Sequence, residues 1–157
     1  SRLELEITEG LLLNDTARTM EQLTALKALG VKIAMDDFGT GYSSLAYLWR
    51  FPFDKIKLDR SFIAEMSDNA AITDIVRTIT LLGQTLKLQV TAEGVETADQ
   101  ARMLGEMHCD HFQGFLFGRP MPVGDIPSFL VNDLARRMRR ESVEAAETET
   151  DLASAST

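Results

Sequence analysis

Cysteine is nearly absent from this sequence: Cys109 stands alone among 157 residues, so no internal disulfide framework can staple the fold, and a reducing, cytoplasmic setting is expected. Long apolar runs are missing as well. None approaches the roughly 18 residues of a membrane-spanning helix, and no basic-then-apolar stretch at the N-terminus reads as a signal peptide. An upstream membrane anchor in a longer parent stays compatible with both. Net positive charge is also lacking. With 16 Lys and Arg against 24 Asp and Glu, the formal charge is -8, which argues against a nucleic-acid polymer as partner, because nonspecific polyanion binders present a basic face. A small anionic ligand held through metal ions is not excluded.

What is present is the composition of a soluble globular protein, 45% hydrophobic and 25% charged, of a length that suits one domain. The charge is unevenly placed. Residues 141–157 carry Glu141, Glu144, Glu147, Glu149 and Asp151 with no Lys or Arg, so they hold 5 of the 8 net negative charges and leave -3 for residues 1–140. That acidic tail reads as disordered. Arg136, Arg137, Arg139 and Arg140 precede it. They could touch a membrane surface or nucleic acid, but read more simply as a solvated helix end.

Leu3, Leu5 and Ile7 alternate with Glu4, Glu6 and Thr8 as in a strand. A helix is expected next, capped by Asn14 or Asp15 and stopped by Gly30. A strand from Val31 to Met35 runs into Asp36-Asp37-Phe38-Gly39-Thr40-Gly41, and a short helix from Ser44 to Arg50 leads to the alternating Asp54–Asp59. Ile72, Ile75, Val76, Ile79 and Leu82 mark one buried helical stripe. Leu88–Ala92 is a strand leading to Glu93-Gly94-Val95-Glu96, Thr97 and Gln100 form a capping box, His111–Phe117 is a further strand, and a last helix lies between Asp125 and Arg140.

Strand and helix thus alternate about five times, the signature of parallel βα units. Glu6, Asp36, Lys57, Glu93 and Gln113 each sit in or just after a strand, at separations of 30, 21, 36 and 20 residues that each leave room for a crossover helix. In a parallel α/β barrel such positions converge on one mouth, where the active site lies. Glu6, Asp36, Asp37, Glu93 and Asp59 would gather carboxylates there, and a cation must compensate them. All-oxygen ligation favours two Mg²⁺ or Mn²⁺ ions and phosphate-ester hydrolysis. The plain alternative, strand-end carboxylates acting as helix caps, suits Asp37 or Glu96 better than Glu6 and Asp36. Lys57 is either a Schiff-base amine in a dry barrel or, among carboxylates, a charged group that orients water or a phosphoryl oxygen. The carboxylates favour the second.

Gly39-Thr40-Gly41-Tyr42-Ser43-Ser44 is either an ordinary turn or a mobile loop at the mouth. It lacks the third glycine of a dinucleotide fingerprint, and Asp37-Phe38-Gly39 lacks the companions of a kinase motif. His108, Cys109, Asp110 and His111 could be a soft-metal cluster, but their place before a strand favours a structural role. Trp49, Phe51 and Phe53 are core or interface aromatics.

Five motifs in order, Glu6-Ile7-Thr8-Glu9, Asp36-Asp37-Phe38-Gly39-Thr40-Gly41-Tyr42-Ser43-Ser44-Leu45, Lys55-Ile56-Lys57-Leu58-Asp59, Ala92-Glu93-Gly94-Val95-Glu96 and Gln113-Gly114-Phe115-Leu116-Phe117-Gly118-Arg119-Pro120, resemble the EAL-domain cyclic-di-GMP phosphodiesterases over residues 3 to about 130. The resemblance implies a TIM-like barrel and two Mg²⁺ or Mn²⁺ ions that hydrolyse cyclic di-GMP to linear pGpG. It makes Glu6, Asp36, Asp37 and Glu93 metal ligands, Glu93 also the candidate base, and Lys57 the group that positions the attacking water. Asp59 and Gln113 become pocket residues. Glu9 looks like the anchor of the loop from Asp37 through Phe38 to Ser44, and Glu96 a supporting acid.

The namesake Glu-Ala-Leu motif and the family's metal-binding asparagine are not in this chain, and a complete barrel takes roughly 250 residues and eight strands. The expectation is therefore the C-terminal portion of the domain in residues 1–140 and a tail in 141–157, cut from a longer protein and competent only with the missing half. The parent is expected to be a homodimer with an upstream sensor or cyclase domain. A non-catalytic cyclic-di-GMP receptor, and an interaction fragment without a site of its own, are the competing readings.

Overall fold

The structure is a computed structural model that describes residues 3–12, 16–39 and 45–133. The chain divides into two units, Ser1–Gly118 and Arg119–Thr157. In the first, β1 (Glu4–Thr8), α1 (Glu9–Leu12), α2 (Thr16–Ala28), β2 (Lys32–Phe38), α3 (Leu45–Arg50), β3 (Lys55–Leu58), α4 (Arg60–Glu65), α5 (Ala70–Leu86), β4 (Gln89–Glu93), α6 (Ala98–Glu106) and β5 (His111–Gln113) succeed one another. The second unit opens with a 3-10 turn at Val123–Asp125, and residues 126–133 are helical. Among the described residues no helix is long and apolar enough to cross a membrane.

The strands form one sheet in the order β1-β2-β3-β4-β5, and every pair is parallel. Sequential parallel pairing with a helix in each crossover is the arrangement of a (β/α) barrel. Alternation along each strand sorts its residues onto two faces. The register aligns Ile7 with Met35, Met35 with Ile56, Ile56 with Val90 and Ala92 with Phe112, so one face is a continuous apolar surface. Ile7, Met35, Ile56, Val90 and Ala92, with Leu23, Leu48, Ile63, Val76 and Leu104 from the helices, share one buried core, against which the partly buried Phe112 packs. The opposite face carries Glu4, Glu6, Asp36, Lys55, Lys57, Thr91, Glu93 and Gln113.

Two aspartates tie strand beginnings in the same way. Asp54, just before β3, accepts from Ile33 N of β2 at 2.8 Å, and Asp110, just before β5, accepts from Val90 N of β4 at 2.7 Å. Asp54 also pairs with Lys27 of α2. Burial alone would raise its pKa, but the Lys27 ammonium and the Ile33 amide together hold it below the usual carboxylate range.

Gly30 at φ 82° ends the turn after α2 as expected, and the Thr97–Gln100 capping box opens α6. One expectation needs correction. The strand expected over His111–Phe117 stops at Gln113, because Gly114 folds against the Val95 backbone and Phe117 N turns back to Gly114 O at 3.1 Å. The short helices α1 and α4 were not legible, having too few turns to display a period. The expected caps Asn14 and Asp15, the end of the last helix towards Arg140 and the tail 141–157 lie outside the described residues.

Within the histidine–cysteine cluster, Asp110 and Cys109 make structural contacts. Cys109 is buried, with its Sγ near the carbonyls of Val90 (3.4 Å) and His111 (3.5 Å), and burial pushes its thiol from 9.0 to about 11. A raised pKa keeps the folded state protonated where the unfolded chain has already ionised. Its stabilisation is complete below the unfolded pKa and is lost as pH climbs through the folded one. The drop in stability between pH 9 and 11 should therefore be shallower in Cys109→Ala by roughly 2 kcal/mol. Ellman's reagent at pH 8 should label the native thiol far more slowly than that of urea-unfolded chain, and equal rates would contradict the burial.

Candidate active site

Four strands meet at one ammonium group. Lys57 Nζ of β3 lies 2.8 Å from Glu6 Oε1 of β1, 2.9 Å from Asp36 Oδ1 of β2 and 2.6 Å from Glu93 Oε1 of β4. One layer nearer the strand beginnings, Lys55 Nζ reaches Glu4 Oε1 at 2.7 Å. These side chains span β2 because the residue in register between Glu6 and Lys55 is Ala34, whose methyl leaves room for the crossing. An ammonium has three hydrogens, and three carboxylates take them.

The Lys57 side chain is 7% exposed and that of Glu6 49%. Burial alone would depress the lysine's pKa, but Glu6, Glu93 and Asp36 overrule it and hold the amine protonated well above the ordinary lysine range. An amine so held is no Schiff-base nucleophile near neutral pH. Of the two roles open to Lys57, the geometry supports the charged one.

A bulge in β2 sets the aspartates. Met35 pairs with Ile56 and Phe38 with Leu58, so Asp36 and Asp37 together oppose Lys57 alone. Asp37 absorbs the extra residue at φ 53°, a left-handed conformation that aspartate tolerates better than most residues. Asp36 thus stays on the polar face, while Phe38 returns to the apolar one and is buried. Asp37 is exposed at the rim. Gly39 comes next at φ 97°, where an added Cβ would lie 2.7 Å from the Phe62 ring. Thr40, Gly41, Tyr42, Ser43 and Ser44 lie outside the described residues.

Among the described residues, Asp59, Gln113 and Glu96 do not join these ion pairs. Asp59 caps α4, accepting from Ser61 N at 2.9 Å, and the hydrogen bonds from Ser61 lower its pKa. Gln113 is in register with Glu93 on the polar face, and its carbonyl accepts from Val95 N at 3.0 Å. The adjacent Gly114 must be glycine, since a Cβ there would lie 2.1 Å from Val95 O. Glu9 opens α1 directly after β1. Glu96 is exposed, and its backbone N donates to Gln100 Oε1 at 2.8 Å.

Two features are not apparent from the sequence. One is a cleft of about 390 Å³ lined by Arg60, Ser61, Ala64, Gly94, Glu96, Thr97 and Gln100; the signal for it was a cation immediately after the strand-end Asp59. The other is Thr91, in register with Lys57, whose buried hydroxyl has no hydrogen-bond partner among the described residues. Its neighbour Lys57 has already given its hydrogens to carboxylates.

Three carboxylates against one ammonium leave two negative charges at one point, the charge of one divalent cation. Among the described residues no three His, Cys, Asp or Glu side chains are laid out around a common ion position. Glu6, Asp36 and Glu93 instead close on Lys57, each through one oxygen, and each keeps a second oxygen that can meet a cation. The donor chemistry therefore fits a hard ion such as Mg²⁺ or Mn²⁺.

The sequence model of the EAL domain family matches residues 1–120. A relative from Pseudomonas aeruginosa named cyclic di-GMP phosphodiesterase NbdA is 48% identical over 128 residues, covering 82% of this chain and 16% of its own length. Among solved structures, the c-di-GMP complex of the PaMucR phosphodiesterase aligns with a TM-score of 0.75 at 47% identity, over 79% of this chain and 50% of that one. The manganese/cy-diGMP complex of Klebsiella pneumoniae BlrP1 aligns at 0.70 and 38% identity, over 74% of this chain and 30% of its own. The chain thus spans at most half the length of each of these proteins.

Thr91→Val keeps the side chain's shape and deletes the unpaired hydroxyl, so it should stabilise the chain by about 1 kcal/mol, seen as a melting midpoint about 2–4 °C higher. A lower midpoint would mean that the hydroxyl is satisfied.

Proposed function

The chain belongs to the EAL domain family, and from that premise we propose that it is the C-terminal portion of a phosphodiesterase that hydrolyses cyclic di-GMP to linear pGpG with two Mg²⁺ or Mn²⁺ ions. One observation carries the proposal: the closure of Glu6, Asp36 and Glu93 on Lys57 at the C-terminal ends of parallel strands, where barrel active sites lie.

Glu6, Asp36, Glu93 and the rim Asp37 would hold the ions. The ions supply Lewis acidity and make water nucleophilic near neutral pH. Two ions would bring four positive charges, and against these stand the net negative charge of the carboxylates and the two phosphodiesters of a cyclic dinucleotide. Glu93 would take one proton of the attacking water as the water's oxygen bonds to phosphorus and the phosphorus bond to the ribose 3′-oxygen breaks, the departing 3′-oxygen taking a proton from solvent water. Lys57 stays charged throughout, so it orients that water and stabilises phosphoryl oxygen rather than exchanging protons. Asp59, Gln113 and Glu96 support the pocket walls, and Glu9 steadies the loop from Asp37 to Ser44.

In the same reading residues 1–140 need the preceding part of the barrel for turnover, and residues 141–157 lie outside the domain. The intact protein works in the cytoplasm as a homodimer under an upstream sensor or cyclase domain.

In the intact polypeptide, Glu93→Gln and Lys57→Ala should each lower kcat for cyclic di-GMP by about 10²–10⁴-fold. EDTA should abolish turnover, and added Mg²⁺ or Mn²⁺ should restore it. Chromatographic assay of pGpG release checks all three, and wild-type rates in both variants would sink the reading.

A further inference from the structure

We propose that the cleft between the segments that follow β3 and β4 seats one guanine base of the substrate, with Arg60 reading one edge of the base and Glu96 the adjacent edge. The inference rests on cyclic di-GMP being the ligand. The 2.6 Å contact between Lys57 and Glu93 draws β3 and β4 together at their C-terminal ends. Beyond it the chains part, one through Asp59 and Arg60 into α4, the other through Gly94 and Glu96 into α6. The cleft of about 390 Å³ is lined by Arg60, Ser61 and Ala64 on one side and by Gly94, Glu96, Thr97 and Gln100 on the other, so it is built from the segments that follow the strands carrying Lys57 and Glu93.

Its walls are tied to each other. The buried Gln100 donates from Nε2 to Ile63 O of α4 at 3.0 Å, while its Oε1 accepts from Glu96 N at 2.8 Å and Thr97 N at 3.0 Å. One amide therefore fixes both sides. Gly94, at φ 70°, lies so close to Arg60 that an added Cβ would stand 2.6 Å from the Arg60 Cβ, which sets the root of the arginine side chain. Arg60 and Glu96 are both exposed, and neither makes a salt bridge among the described residues. Each can offer its charged end to a ligand.

Guanine suits this pair of walls. Its N7 and O6 are adjacent acceptors that match the fork of a guanidinium, and its N1–H and N2–H₂ are donors that a carboxylate accepts. Adenine keeps the N7 acceptor but differs beside it and at N1. It presents an amino group where guanine has O6 and an acceptor at N1, so the guanidinium faces a donor and the carboxylate faces a lone pair. The cleft would thus select the base while the ion cluster acts on the phosphodiester.

The test uses the intact polypeptide and measures Kd and kcat/KM for cyclic di-GMP and cyclic di-AMP in wild type, Arg60→Met, Arg60→Lys and Glu96→Gln. Melting curves confirm folding, which two exposed positions should not disturb. The wild type should prefer cyclic di-GMP. Arg60→Met should weaken cyclic di-GMP by about ten-fold or more, chiefly in Kd and KM, and weaken cyclic di-AMP less, so the preference shrinks. Arg60→Lys should not restore it, because a point charge cannot fork, and Glu96→Gln should shrink it too. Equal proportional losses on both dinucleotides, or a preference intact in all variants, would overturn the assignment. Because the preference is read from binding as well as turnover, a wild type that binds selectively without cleaving counts against hydrolysis alone. A wild type that distinguishes the two dinucleotides in neither assay overturns the guanine subsite.

Discussion

The sheet's polar face is organised by the charge on Lys57. Glu6, Asp36 and Glu93 come from separate strands, and without a cation among them their repulsion would drive β1, β2 and β4 apart at the strand ends. The ammonium needs them equally, since a buried lysine with no acceptors would shed its proton or pull in water. Neither partner of such a cluster has a stable place without the other, and removing one member costs more than the pairwise attraction suggests because the rest are left unpaired. The same contact that holds four strands in register therefore brings the carboxylates of the candidate site together.

Other features result from accommodating that ammonium. Ala34 must be small, because Glu6 on one side and the lysines on the other reach towards each other across it. The bulge at Asp36–Asp37 supplies a carboxylate on the polar face and then returns Phe38 to the core in one step. A regular strand could not do this, since Phe38 would fall on the polar side. Thr91 is left with an unpaired hydroxyl, a local cost of saturating its neighbour. The apolar face shows no such compromises. Its residues meet helices, and the aspartate ties at Ile33 and Val90 anchor it at the opposite end of the strands.

Much of this arrangement is visible in the residues themselves. Glu6, Asp36, Lys57 and Glu93 stand out because each interrupts or ends an apolar run with one crossover's worth of chain between them, and parallel topology then leaves only one place for them to meet. Asp59 has the same signature yet serves as a helix cap, because cap and ligand differ only in whether a helix begins at the next residue, and α4 is too short to show a period. The bulge was hidden for a related reason. Strict alternation assigns Asp36 and Asp37 to opposite faces, and only two consecutive acids before Phe38-Gly39 hint that the rule fails there. His111–Phe117 looks like one apolar strand because sequence cannot show Gly114 lying against the Val95 backbone, a contact between segments 19 residues apart.

The exposures within the cluster have a geometric cause. Glu6 is more than twice as exposed as Asp36 or Glu93 because β1 is an edge strand among the described residues, whereas β2 and β4 are flanked on both sides. The Glu6–Lys57 contact is thus the most open of the three to screening by water. A strand paired to the open edge of β1 would exclude water from that carboxylate and strengthen its hold on Lys57, or on a cation in its place. The polar face on its own keeps one carboxylate open to water, and its electrostatics tighten in proportion to how completely the sheet continues past Glu6.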